Sequence, residues 1–431
     1  MSSKKIQSMR HALSVLVALV SLAAVFPAGM SPLRTAAASG APPKWHQLND
    51  DYTFDQYVED FRKPYVRGTA DFNARALTFK AKLQEIVAHN AGGSSSSYKM
   101  GVNRFTDMTE EELRRMTPTF PVPEHDGPYG QAYVADFLHG SGRVSKSNGG
   151  LATGKTTQKK VHRNLGDDGN RRRSVDWRSA DPPILTAIKD QGYCGSCWAF
   201  GTTETLEAHY ALTTDKRIEL SPQQLVSCVP PVTIDNATMQ GCDGMFPSHA
   251  MEYLIQSRGL TEEFIYPYLS YWVGNSSTNN QWPSCDRWVA RTAMTPVTGY
   301  VSVERNDQDA VMHAVANQGP VTAVIYVLPS FMAYESGIYA NATCVSDGMS
   351  PSHVVQIVGY GHDSDLGEDY WLLRNSWSAL WGEAGYFRLL KTAVPQCGTM
   401  GWPVGNTFAN VTACGMCGML LNNLFPIMQQ A

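Results

Sequence analysis

No cysteine occurs in the first 193 of the 431 residues; all nine lie between Cys194 and Cys417. A disulfide framework is thereby excluded from the N-terminal part and confined to the rest. Charge is sparse too, at 17% of residues with a formal net charge of -4. No global field favours nucleic acid or acidic membranes, and no nucleic-acid partner is expected. Long apolar runs are lacking except for Ala12 to Val25, which is short for a membrane span of ~20 residues. Lys4, Lys5 and Arg10 precede that run, and the small residues Ala28 and Ala36 to Ala38 follow it. Residues 1–38 therefore have the form of a secretory signal peptide, with an uncleaved anchor as the alternative. Once it is removed, no stable membrane span is expected.

What is present fits an exported globular chain. With 43% hydrophobic residues, the length suffices for two or three units with cores of their own. An odd number of cysteines in the secretory pathway suggests bonded pairs plus one reactive thiol. Sequons at Asn236, Asn275, Asn341 and Asn410 suit the same compartment.

Apolar residues at helical spacing (Phe54, Tyr57, Phe61, then Leu77, Phe79, Leu83 and Ile86) predict two helices before Asn90. The Gly92–Ser97 stretch interrupts them, Tyr98 to Phe105 is extended, and a short helix starts near Thr109 with Glu110 to Glu112 in its first turn. Residues 50–120 thus form one small unit. From 121 to 173 the chain is rich in Gly, Ser, Pro and basic residues, including Lys159, Lys160 and Arg171 to Arg173. This is expected to be a mobile linker, its arginine run a candidate processing site. Residues 174–294 mix helical stretches with cysteine-bearing loops. Residues 295–418 carry extended apolar runs such as Val321 to Leu328 and Val354 to Tyr360. A groove between a helical half and a β-rich half is a natural ligand site.

Chemistry concentrates in Asp190-Gln-Gly-Tyr-Cys-Gly-Ser-Cys197-Trp-Ala-Phe200, where a glycine-punctuated loop enters a helix. A thiol at a helix start faces unpaired N–H groups and the positive dipole end, which lower its pKa. On the Cys-x-x-Cys tetrad alone, half of a zinc site or a redox pair remain open. A base candidate, His353, opens an apolar run in Ser352-His-Val-Val355, and Asn375 follows 22 residues later in Arg374-Asn-Ser-Trp377. Trp381-Gly-Glu-Ala-Gly-Tyr386 comes next.

These blocks resemble the papain family of cysteine peptidases in its cathepsin L-like branch. The resemblance implies an α+β, two-domain peptidase fold, with a helical left domain, a β-barrel-like right domain and a cleft between them, preceded by a small helical propeptide. It implies Cys197 as nucleophile, His353 as base, Asn375 as the residue that orients the imidazole, and Gln191 as oxyanion donor. Trp198 and Trp377 are supporting aromatics, and no cofactor or metal is required. His353 lies 156 residues beyond Cys197, slightly more than the ~130 to 150 usual for the family, a difference that surface insertions explain.

The same resemblance pairs Cys194 with Cys242, Cys228 with Cys285, and Cys344 with Cys417; Cys397 and Cys414 then remain to close an extra loop. Substrate contacts are expected from Gly244, Met245, Phe246, Pro247, Val324, Pro351 and Asn422. Met245 and Ser352 depart from the family pattern, which has Gly and commonly Asp there. Asp71, Arg75, Phe79, Ile86 and Asn90, then Gly101, Asn103, Phe105 and Asp107, follow the spacing of two propeptide motifs, with Asp71 in place of Glu and Lys82 where Asn is usual. The implied organisation is signal peptide 1–38, propeptide 39–173 and mature enzyme 174–431, the pro-region running backwards through the cleft as an inhibitor. A zymogen of a cysteine endopeptidase acting on protein and peptide substrates follows, located outside the cell or in a lysosome or vacuole, with cystatin-like inhibitors as further partners. An exopeptidase or ligase, and a catalytically silent binding protein, are the competing readings.

Overall fold

Three threonines set the helices of the N-terminal region. The computed structural model describes residues 41–92, 96–119, 130–136, 141–146, 174–234, 237–273, 282–345, 348, 350–404 and 407–429, and residues 41–431 form one compact unit. The signal peptide, the Arg171–Arg173 run and the sequons at Asn236 and Asn275 lie outside the described residues. Thr53, Thr69 and Thr109 each accept a backbone N–H as N-caps of α1 (Phe54–Asp60), α2 (Ala70–Ala91) and α3 (Glu110–Met116). Each such cap stabilises its helix by about 1 kcal/mol. Around α3, Glu112 returns a hydrogen bond to the Thr109 N–H at 2.8 Å, closing a capping box. Phe54, Tyr57, Phe79, Leu83 and Ile86 are buried, and β1 (Tyr98–Met100) follows.

The segment 121–173 differs from the expected linker, because it contains β2 (Gly130–Asp136) and β3 (Ser141–Lys146), an antiparallel pair. Strand β2 also runs parallel to β7 (Val297–Val303). Sequence periodicity did not signal it, because an open sheet edge offers unpaired N–H and C=O groups to any extended neighbour.

After β4 (Val175–Asp176) come the central helix α4 (Cys197–Thr214), α5 (Pro222–Cys228), the short hairpin β5 (Val232–Ile234) and β6 (Ala237–Met239), α6 (Pro247–Ser257) and α7 (Arg287–Ala290). Strand β7 is followed by α8 (Gln308–Asn317), β8 (Val321–Ile325), α9 (Pro329–Met332), β9 (Tyr334–Tyr339), β10 (His353–Asp363), β11 (Glu368–Arg374) and β12 (Tyr386–Leu390). The chain ends in the hairpin β13 (Cys397–Val404) and β14 (Thr407–Cys414), and then β15 (Leu424–Met428).

The main sheet runs β1-β9-β12-β11-β10-β4, with β8 also paired to β10. Strands β4 and β15 join different sheets. The N-terminal β4 joins this sheet, whereas β15 pairs with β7, and Leu424, Val297 and Tyr300 share a buried cluster with Met251 and Leu254 of α6. The helical half thus recruits β7, which the sequence division had assigned to the β-rich half, together with β15. Helix α4 is buried on almost every side. Its first turns contact that cluster, and Ala208, Ala211 and Leu212 contact the other core, which also contains Phe79, Leu83 and Ile86. So enclosed, α4 buries polar groups as well as apolar ones, among them Glu204, Glu207 and His209.

Four disulfides join Cys194 to Cys242, Cys228 to Cys285, Cys344 to Cys417 and Cys397 to Cys414. Among the described residues, no helix is long and apolar enough to cross a membrane.

Candidate active site

Cys197 is the first residue of α4 and the one cysteine outside the disulfides. With Cys194 bonded to Cys242, the tetrad holds neither a dithiol nor a pair of thiolate ligands. The N–H groups of Cys197 and Trp198 in the first helical turn, and that of Val354, favour the ionised form of the thiol. That last contact brings the start of β10 against the start of α4. Gly195, in the entry loop, lies where a Cβ would be 2.4 Å from the Cys242 carbonyl oxygen. No other residue allows that approach.

His353 opens β10, and Asn375 follows the last residue of the adjacent β11; the register Gln356↔Arg374 brings the two together. His353 Nε2 lies 2.8 Å from Asn375 Oδ1, which also accepts the Ser376 N–H at 2.8 Å. Because that oxygen only accepts, Nε2 carries the proton and Nδ1 of the neutral ring keeps its lone pair. Among the described residues Nδ1 has no hydrogen-bond partner. Trp377 stacks on the imidazole with centroids 4.6 Å apart and an interplanar angle of 27°, shielding the His353–Asn375 bond from water. Trp198 is tied to the Gly241 carbonyl through its indole N–H at 3.0 Å.

Gln191 is held between the two halves. Its backbone N–H donates to Ser376 O at 2.9 Å, and its Oε1 accepts from Ser376 Oγ at 2.7 Å. Its amide nitrogen must therefore point the other way, where it donates to Cys194 O at 2.8 Å and to Met116 O at 3.2 Å. Met116 belongs to the N-terminal region, so a carbonyl of that region occupies the donor that an oxyanion would require. Two residues on, Pro118 lies against Gly195: a Cβ there would be 2.7 Å from its ring.

The protonation states differ from the sequence-based expectation. Burial pushes the Cys197 thiol up to about 12, and the three N–H donors only partly offset it. Burial likewise lowers His353 to about 4, against the opposing effect of Asn375. Both residues are wholly buried, so loss of water outweighs the helix dipole, and burial favours the neutral form of each in the closed form.

The expected substrate contacts fall in two places. Met245, Phe246 and Val324 are buried in the cluster that also holds Cys197. Gly244 has φ +91° just ahead of them, and Pro247 is the first residue of α6. Val324 N donates to Asn422 O at 3.3 Å, and Pro351 is buried two residues before His353. Ser352 Oγ accepts the Val327 N–H at 3.1 Å, a structural bond where the pattern commonly has a carboxylate. Asn341 bonds Ser330 through Nδ2 at 3.4 Å, and Asn410 lies on β14.

The family model described as papain family cysteine protease matches residues 172–405, and the cathepsin propeptide inhibitor domain matches residues 54–113. The chain belongs to the papain family of cysteine proteases. It is 30% identical over 349 residues to pro-cathepsin H of Mus musculus, spanning 81% of this chain and 88% of that one. Thiol protease aleurain of Arabidopsis thaliana is 33% identical over 337 residues, spanning 78% and 79%. Among solved structures, the digestive procathepsin L2 proteinase of Tenebrio molitor larval midgut superposes with a TM-score of 0.64 at 28% identity, covering 86% of this chain and 98% of that one.

This papain-family chain is thus a zymogen with its inhibitor domain in place. The domain docks through β1 on β9 and through Asn103 Nδ2, which donates to Met332 O at 2.7 Å. Arg104 Nη2 donates to Asp190 Oδ1 at 2.6 Å, and Nη1 pairs with Oδ2. Sequence reasoning missed Met116, because a backbone acceptor has no side-chain signature. It also missed Arg104 with Asp190, although each lies inside a motif, because nothing local links residues so far apart.

Proposed function

We propose that the mature protein is a cysteine endopeptidase in which Cys197 attacks a peptide carbonyl, His353 transfers the proton and Asn375 orients the ring. His353 Nδ1 takes the thiol proton, giving a thiolate and an imidazolium. The thiolate adds to the carbonyl carbon, and the oxyanion is bound by the Cys197 N–H and the Gln191 side-chain amide. His353 then protonates the leaving amine and the C–N bond breaks. Water, deprotonated by the same imidazole, releases the acid from the acyl-enzyme. The observation that carries this reading is the Nε2–Asn375 bond, which leaves Nδ1 unpaired with its lone pair free while the single free thiol lies against Val354, the next residue.

Residues 1–38 act as the signal peptide, residues 39–173 as the propeptide and residues 174–431 as the mature enzyme, on a route to the cell exterior or to a lysosome or vacuole. The single free thiol among four disulfides supports that route. Gly244 to Pro247 with Val324, Pro351 and Asn422 hold the acyl side of the substrate, where a bulky apolar residue is preferred. The test is product analysis on a peptide of about ten residues blocked at both ends. The processed enzyme should cut internally, and Cys197→Ala should lower kcat/KM by at least ~10⁴-fold. Release of terminal residues only, from unblocked peptides, would replace the endopeptidase reading with an exopeptidase.

A further inference from the structure

The pro-region does more than cover the catalytic residues, since its Arg104 sits in a receptor formed wholly by the enzyme. Both guanidinium nitrogens engage the Asp190 carboxylate, and Nη1 also donates to the Tyr271 hydroxyl at 2.8 Å. The guanidinium carbon lies 5.8 Å from the Tyr271 ring centroid. Tyr271 is itself braced: its carbonyl accepts the Tyr193 N–H at 2.7 Å, and its ring meets Tyr193 and Trp272 edge-on. Asp190 is fixed from the other side, because Oδ1 accepts the Gly192 N–H at 3.0 Å. Gly192 has φ +64°, and a Cβ there would be 2.2 Å from the Tyr271 carbonyl oxygen. Carboxylate, hydroxyl and aromatic face therefore do not depend on Arg104 for their positions. A planar guanidinium suits a bidentate carboxylate beside an aromatic face better than any other side chain.

We propose that release of the pro-region turns this receptor into a subsite for an arginine side chain of the substrate, on the leaving-group side of the scissile bond. The inference rests on the peptidase reading of Cys197. Its place relative to the reaction follows from Asp190, which precedes the oxyanion donor Gln191 and forms a backbone bridge with Trp377, the ring stacked on His353. His353 protonates the departing amine, so the chain beyond that amine leaves past Trp377. The pro-region visits the same landmarks in order, with Arg104 at Asp190, Met116 at Gln191, and Pro118 at Gly195, which is bonded to Cys242. It thus runs from the leaving-group side to the acyl side.

The test uses processed enzyme and peptides that differ only at the first, second or third residue after the scissile bond, carrying arginine or its neutral isostere citrulline. At one position arginine should raise kcat/KM about 10-fold or more over citrulline. Asp190→Asn should bring that ratio to within about 2-fold of unity, and Tyr271→Phe should reduce it in part. The ratio in the unaltered enzyme needs no variant to fold. Equal rates at all three positions, or an unchanged ratio in Asp190→Asn, would overturn the subsite. A second measurement requires no turnover: with Cys197 alkylated, an arginine tripeptide amide should change tryptophan fluorescence saturably, because Trp272 is 73% exposed and stacked on Tyr193, whereas the citrulline peptide should not. Saturable binding by an enzyme that cleaves nothing would count against Cys197 as nucleophile and support the guanidinium site. Uniform cleavage without binding would do the reverse.

Discussion

The inhibitor domain and the enzyme it covers bury comparable groups but are held together by different means. In the domain the closures are polar and reversible. Lys63 Nζ lies 2.8 Å from the buried Asp107 carboxylate, to which the Tyr57 hydroxyl is also bonded, and Arg75 clasps Glu112 at 2.5 Å. The enzyme has buried ion pairs of its own, Lys189 with Glu207 at 3.0 Å and Arg374 with Glu204 at 3.4 Å, and adds four disulfides. A region that must come off is secured by bonds that water, protons or proteolysis can break. The region that remains is cross-linked. The cysteine-free N-terminal part of the chain states this division in its composition.

The largest effect that would break the comparison comes from Lys63→Ala. It leaves Asp107 buried and uncompensated, which typically costs about 3–5 kcal/mol. The inhibitor domain should melt well before the enzyme, and the zymogen should lose latency, readable as two separated calorimetric transitions. A single unshifted transition would show that the domain does not depend on its ion pairs. Replacing Cys397 and Cys414 together by serine removes a closure of 17 residues, a loss of about 3 kcal/mol at most. The enzyme transition should move down while latency is kept; a change in latency would tie this hairpin to the inhibitor.

The smallest effect is a slope with pH. His353 is lowered from 6.5 to about 4 in the closed form, so the unfolded chain binds the proton more readily. Its stabilising contribution is complete above about pH 6.5 and is lost as pH falls toward 4. His209, buried against Pro320 O, acts in the same direction. Glu204 and Glu263, raised by burial to about 7, act oppositely: their contribution is complete below 4.5 and lost as pH rises through 7. The informative quantity is therefore a difference. Between pH 6.5 and 4 the fall in Tm should be shallower in His353→Gln zymogen than in the unaltered zymogen. Parallel curves would mean that His353 carries no such linkage.

Much of the site was legible because its chemistry is local in sequence. The loop before Cys197, the strand opened by His353 and the block around Asn375 each announce their residue types, and the resemblance suggested their roles and three of the cysteine pairs, leaving Cys397 and Cys414 as the fourth. What stayed hidden depends on tertiary contact. The pairing of β2 with β7 needs an open edge, and the packing of β7 and β15 on the helical core needs both halves assembled. The thiol itself shows the limit most clearly. A helix start argues for a lowered pKa, yet complete burial reverses the sign, and burial depends on tertiary contacts that the motif does not state.

The most direct measurement of the central claim is covalent labelling by an epoxysuccinyl inhibitor, followed by peptide mapping, before and after acid processing. The processed enzyme should take up one equivalent, at Cys197, while the closed zymogen reacts far more slowly because its thiol is neutral and covered. Label on any other residue, or peptide cleavage that persists in Cys197→Ala, would contradict it.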